Sequence, residues 1–253
     1  MEPVNPEFVP DPESSREEME ALQRAVAAEA TFTDDHPFDS AAVSTANTLT
    51  SGDSPVVVGI DQAFLDDRAV GAVVALRGGT VIERASAVAD CEFPYVPGLL
   101  SFREAGAVVA AFENLSIDPD IAVFDGSGRI HFREAGLATH LGVVFDLPSI
   151  GVAKGLLCGT PRGSLDGLPE GARVAIDADE DVEAEGTIGY ALQTRQYESG
   201  TRKINPVYVS PGHRVGPETA TDITEQLCDG YKLPEPTRLA DSHADTVKRD
   251  LTE

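Results

Sequence analysis

The stretch Val56-Val57-Val58-Gly59-Ile60-Asp61 is an unbroken apolar run that ends in a carboxylate. Its β-branched residues favour a strand, and the lack of apolar–polar alternation favours one covered on both faces. Ile121-Ala122-Val123-Phe124-Asp125-Gly126 repeats the form. Between the two, Leu100, Glu104, Val108, Ala111 and Leu115 fall at steps of four, four, three and four, a helical stripe with an acid in it. Carboxylates that converge from buried elements lose hydration and repel one another, and a bound cation relieves both costs. The plainer alternative is that Arg103 or Lys154 neutralises Glu104.

Around this core the pattern predicts strands at Val56–Phe64, Ala69–Leu76 and Val81–Ala89, turned by Asp66-Asp67 and by Arg77-Gly78-Gly79. Such short loops make an antiparallel meander. A helix runs from Pro97-Gly98 to about Leu115, then a strand over Ile121–Phe124, a helix over Gly136–Val144 and a strand over Pro148–Ala153. The order βββ-α-β-α-β implies an α/β fold: a mixed central sheet, three antiparallel strands then parallel ones, with helices on both faces. It fits the ribonuclease H-like fold, with the first strand beside the fourth. Residues 160–200 read as loop-rich with a hairpin at Arg173–Asp177 and Gly186–Thr194. A strand at Asn205–Ser210, a helix at Pro217–Gly230 and a polar tail from Tyr231 follow. Residues 1–53 form an acidic N-terminal extension, partly disordered or helical. Met19, Leu22, Val26 and Ala30 are spaced for a helix over Glu18–Ala30. Residues 54–253 form the catalytic domain.

The chain has 253 residues, 42% of them hydrophobic, and a formal net charge of -24. That apolar content supports a full core and excludes general disorder. Acids spread along the whole length point to adaptation to very high salt, where screening removes self-repulsion. The charge argues against nucleic acid unless a local basic or metal-filled cleft meets the phosphates. Cys91, Cys158 and Cys228 lack metal-ligand spacing and read as reduced core residues. No apolar stretch nears membrane-spanning length, so a soluble, cytoplasmic protein is expected.

If the two acid-tipped strands are parallel neighbours, Asp61 and Asp125 lie roughly 5 Å apart, at the strand ends where open α/β sheets bind ligands. With Glu104 they offer hard oxygen donors suited to Mg²⁺, with Mn²⁺ as a substitute. Such an ion can generate hydroxide for phosphodiester hydrolysis. Lys154, after the apolar strand Ile150-Gly151-Val152-Ala153, can hold a phosphate or can equally extend to solvent. His131 can face the metal's water or scissile phosphate, or serve as a turn residue. Gly126, Gly128 and Gly136 allow close backbone approach to a planar base, or are plain turn chemistry. Pro94-Tyr95-Val96-Pro97-Gly98 is a stiff loop that can present Tyr95 as a wedge, or simply enter the helix.

The segments GIDQAF (59–64), PYVPGLLSFREAG (94–106), PDIAVFDGSGRIHFREAGLATHLGVVFDLPSIGVAKGLLCG (119–159), PVYVSPGHR (206–214) and LPEPTRLAD (233–241) together resemble the endonuclease V family. The resemblance implies a Mg²⁺-dependent nuclease that hydrolyses the second phosphodiester bond 3′ to deoxyinosine and leaves 3′-hydroxyl and 5′-phosphate ends. It implies metal ligation by Asp61, Glu104, Asp125 and Asp241, and catalytic roles for these first three with Lys154 and His131. It implies a DNA wedge of Pro94, Tyr95, Val96 and Pro97, and a base pocket of Leu100, Gly126, Gly128, Gly136, Leu137 and Leu157. The partner would be inosine-containing DNA, with inosine-containing RNA as the alternative and a non-catalytic binder of damaged nucleic acid as a further one. A monomer is expected. The chain departs from the family pattern at Ser127, Phe132 and Glu134, where histidine, proline and a basic residue are usual. Loss of the histidine and of a basic residue near the phosphate path should weaken substrate contact by roughly 1–3 kcal/mol.

Overall fold

The computed structural model describes residues 1–46, 54–91, 94, 96–197 and 203–252. Its centre is a nine-stranded mixed sheet. Strands β1 (Val56–Leu65), β2 (Arg68–Arg77) and β3 (Thr80–Asp90) form the expected antiparallel meander. After helix α2 (Leu100–Glu113), β4 (Ile121–Asp125) returns beside β1 in parallel, with Ile60 opposite Phe124. Helix α3 (Leu137–Phe145) leads into β5 (Ser149–Ala153), parallel to β4 with Asp125 opposite Val152. This is the ribonuclease H-like order, with the first strand beside the fourth.

Beyond β5 the sheet continues. Strands β6 (Thr160–Pro161), β7 (Arg173–Asp177), β8 (Thr187–Leu192) and β9 (Val207–His213) complete the order β3-β2-β1-β4-β5-β9-β8-β7-β6. The hairpin expected in the loop-rich segment is thus an extension of the main sheet.

Each central strand is apolar on both sides because each side is covered. On one face Val58, Ile60, Phe124 and Val73 pack under α2 and α3, with Phe112 and Phe145 4.5 Å apart between ring centroids. Full burial of such a ring contributes about 1.5–3 kcal/mol. On the other face Val57, Val123, Ile150 and Val152 meet helix α4 (Pro217–Gln226) through Ile223 and Leu227.

One expectation needs correction. The segment after Tyr231 is not merely a polar tail. It forms helix α5 (Glu235–Asp250), which lies on β1 and β2 beside α4. A Cβ on Gly59 would stand 2.1 Å from the Pro236 carbonyl carbon, so glycine is what lets the helix come this close. The N-terminal segment, in turn, is built into the fold wherever it is described. Helix α1 (Arg16–Glu29), started by a Ser15–Glu18 capping box, buries Met19 against Leu99 and Phe102, and Val26 against Ala135 and Val143. Val4 and Asn5 donate their backbone N–H groups to the Val144 carbonyl.

Candidate active site

Alternation along the strands sets the geometry. Val57 and Gly59 face α4 and α5, so Asp61, two residues on, projects from the same face. Val123 puts Asp125 there by the same count, and Ile150 and Val152 do so for Lys154. Asp61 and Asp125 stand level, one residue past the paired Ile60 and Phe124. Helix α5 brings Asp241 into hydrogen-bond contact with Asp61. Glu104 comes from α2, which covers the opposite face, and the charges of the same two aspartates act on it.

The electrostatics match a crowded set of acids. Asp61 is 7% exposed and Glu104 6%. Burial, then the charge of Asp125, pushes Asp61 up to about 8. Burial, then Asp61 and Asp125, does the same to Glu104, with only partial relief from Arg103. Lys154 Nζ donates to Asp125 Oδ2 at 2.5 Å. Burial disfavours that ammonium, but the bond and charge of Asp125, with Asp61 and Asp241, outweigh it and hold its pKa above the ordinary value. The neutralisation weighed from sequence therefore falls on Asp125, not on Glu104.

Among the described residues, no three His, Cys, Asp or Glu side chains already stand as a finished metal cage. Lys154 occupies one Asp125 oxygen, and the Asp61–Asp241 pair shares a hydrogen bond. The donor set nonetheless fits a hard divalent cation. It consists of carboxylate oxygens, two of the acids carry strongly raised pKa values, and a cation would relieve their mutual repulsion.

His131 is placed elsewhere. It is 3% exposed; its Nδ1 accepts from the Arg133 N–H, and its Nε2 lies 3.1 Å from the Gly98 carbonyl. Burial, with Arg133 beside it, lowers its pKa to about 4, so the ring is neutral and Nε2 donates. Instead of facing the acids, it lines a cavity of about 60 Å³ next to α2. That cavity gathers Leu100, Gly136, Leu137 and Leu157 with Pro97, Ser127 and the unanticipated Gln23 of α1. Gly126 and Gly128 do not line it. A Cβ on Gly128 would lie 2.3 Å from the Pro211 carbonyl oxygen, so that glycine serves the protein's own packing. Of the wedge loop, Val96 packs on the Met19 cluster and Pro94 is exposed, while Tyr95 lies outside the described residues.

The three departures have distinct surroundings. The Glu134 carboxylate takes a 2.6 Å ion pair from Arg129 Nε, which cancels the charge it introduces. The Phe132 ring packs beside Gly98. The Ser127 carbonyl accepts from Ala138 N–H at 3.0 Å at the start of α3.

A sheet of this order with acids gathered at the ends of its central strands defines a nuclease of the ribonuclease H-like class. The family model described as Endonuclease V matches residues 40–242. An Endonuclease V from Haloarcula marismortui is 59% identical over 263 residues, covering 97% of this chain and 97% of that protein. The chain belongs to the endonuclease V family. Among solved structures, the Endonuclease V of Streptomyces avermitilis matches with a TM-score of 0.79 at 35% identity, over 98% of each chain. The Ciona intestinalis Endonuclease V, in complex with a 24mer DNA containing an inosine followed by a ribo-adenosine, has the same fold. Its TM-score is 0.71 at 21% identity, over 93% of this chain and 98% of that one.

Proposed function

We propose that this protein is a divalent-metal-dependent repair endonuclease that recognises deoxyinosine in DNA and hydrolyses the second phosphodiester bond on its 3′ side. The observation that carries the reading is the convergence of Asp61, Glu104, Asp125 and Asp241, with Lys154 at its edge. Family membership and the inosine-containing ligand of the Ciona relative support the substrate.

In this reading Asp61, Glu104, Asp125 and Asp241 hold Mg²⁺. The bound ion supplies Lewis acidity and a lowered pKa for its water. The four carboxylates fix its place and exclude other ligands. Lys154, which pairs with Asp125, stands at the edge of the set, where its ammonium would face the phosphate whose charge grows at the transition state. The cavity beside α2 receives the rotated base, with Leu100, Leu137 and Leu157 as its apolar walls. His131, neutral and committed to Gly98, shapes that cavity and moves no proton. The acidic surface suits a cytoplasm of high ionic strength, as in the haloarchaeal relative.

The decisive experiment incubates purified protein in molar KCl with inosine-containing DNA and RNA side by side, with Mg²⁺ or with EDTA. Mg²⁺-dependent nicking at the second bond 3′ to inosine in DNA is expected. Cleavage of RNA alone would shift the reading to an endoribonuclease. Binding without any cleavage would leave a damage binder.

A further inference from the structure

The carbonyl oxygen of Gly98 is held by three side chains. Gln23 Nε2 donates to it at 2.8 Å, His131 Nε2 at 3.1 Å and Arg133 Nη2 at 3.3 Å. Gly98 itself has φ of +80°, and a Cβ there would lie 2.9 Å from the Phe132 ring. Glycine reaches that region without steric cost, and a side chain there would collide with Phe132. The segment so fixed joins the proposed wedge loop to Leu100, which opens α2 and walls the cavity.

Of the three donors, Gln23 is the one that comes from another part of the chain. It sits on α1, ahead of the 40–242 stretch that the family model matches. It is 0% exposed and lines the cavity, and both ends of its amide are used, since Oε1 accepts from Arg133 Nε at 2.8 Å. A buried amide with every partner in place restricts its neighbours to one arrangement. The next residue, Arg24, pairs with both carboxylate oxygens of Glu183, whose N–H donates to the Phe132 carbonyl at 2.8 Å. Helix α1 is thereby tied to both loops that border the cavity.

We infer that Gln23 is a positioning residue for base selection, holding the Gly98 carbonyl so that the wedge loop and the cavity wall keep one spacing. The inference rests on the reading of this cavity as the base pocket. Gln23 touches neither the acids nor the phosphate path, so it acts on which base is accepted rather than on the hydrolytic step.

The test uses the full-length protein with Gln23→Met, which keeps the side-chain length and removes both hydrogen bonds. Discrimination between inosine and undamaged duplex should fall by about tenfold, through KM, with kcat held within about twofold. Hydrogen exchange at the Leu99 amide, which donates to the Val96 carbonyl at 3.0 Å, should quicken by about tenfold in the protein alone. Unchanged discrimination overturns the proposal, as does unchanged exchange at Leu99. If Gln23→Met fails to fold, Gln23→Glu keeps the acceptor for Arg133 and is read in the same two ways. Should the unaltered protein nick no inosine substrate, the functional reading fails, and the exchange measurement alone decides the clamp.

Discussion

The acid end of the sheet and the cavity beside α2 both bury polar side chains, yet they satisfy them in opposite ways. In the cavity, Gln23 and His131 find partners within the protein at every nitrogen and oxygen that the ring or amide offers. At the acid end, Asp61 and Glu104 are left so poorly compensated that both are pushed up to about 8. One region has finished its electrostatics within the fold. The other leaves its carboxylates uncompensated, and in the proposed function a bound cation completes it, which would separate a recognition wall from a reaction centre.

The sharpest way to break the contrast is to remove an acid. Asp61→Ala or Asp125→Ala should lower Mg²⁺-dependent nicking by on the order of a thousandfold or more, because the ion and its water lose their place together. Thermal unfolding in EDTA should stay level or rise, since a desolvated carboxylate has gone. Retained nicking by either variant removes the metal assignment.

Lys154→Ala should slow turnover by about a hundredfold, as for loss of a transition-state donor, with less effect on substrate binding. Equal losses in kcat and in affinity for uncleaved DNA would make Lys154 a binding residue instead.

The pH dependence follows from sign. Asp61 and Glu104 rise from ordinary values of 3.8 and 4.5 to about 8 in the folded chain. The unfolded chain therefore releases protons that the native one keeps. Their contribution to stability is fully present below about pH 4 and drains away as pH climbs through 8. In EDTA the melting temperature should fall between pH 6 and pH 8, and Mg²⁺ should restore more of it at pH 8 than at pH 6. A melting temperature in EDTA that rises over this interval would contradict the buried, mutually repelling acids.

Smaller effects sharpen the cavity side. His131→Ala should cost about 1–3 kcal/mol of stability through the orphaned Arg133 N–H and the loss of one of the three donors to Gly98, and leave Mg²⁺ affinity unchanged by calorimetry. Gly59→Ala should cost a similar ~1–3 kcal/mol by overpacking the contact with Pro236. It should also reduce nicking by shifting α5 and Asp241, and a variant with full activity would show that α5 is not needed in register.

Much of this was legible in the sequence because the central strands are loud. Val56–Ile60 and Ile121–Phe124 carry nothing but apolar residues, and a carboxylate placed after each is hard to overlook. The helical stripe through Glu104 was equally plain. Helix α5 was quiet for a physical reason. Its buried face is Pro236, Thr237, Ala240 and Ala244, set against Gly59, Ala63 and Ala72. The small residues lie on the helix, and Val70, Val74 and Leu76 of the sheet pack on Ala244 and Ala240, so no apolar stripe within the helix advertises the contact. The start signal was present as proline at the first turn of Pro234-Glu235-Pro236. Gln23 was missed because a polar residue within an amphipathic helix reads as solvent-facing, whereas long-range partners at Gly98 and Arg133 draw it inward. His131 was assigned toward the acids through family resemblance, but the turn that holds it directs both ring nitrogens to backbone groups.

The position of α5 also bears on the protein's birth. Asp61 emerges from the ribosome early, while its neighbour Asp241 sits on the last helix described and has no counterpart until that helix docks on Gly59. A nascent chain halted before Glu235 would expose the face of β1 that α5 covers and lack Asp241 beside Asp61. A chain assembled in this order completes its set of acids only once Asp241 has been made and α5 has docked.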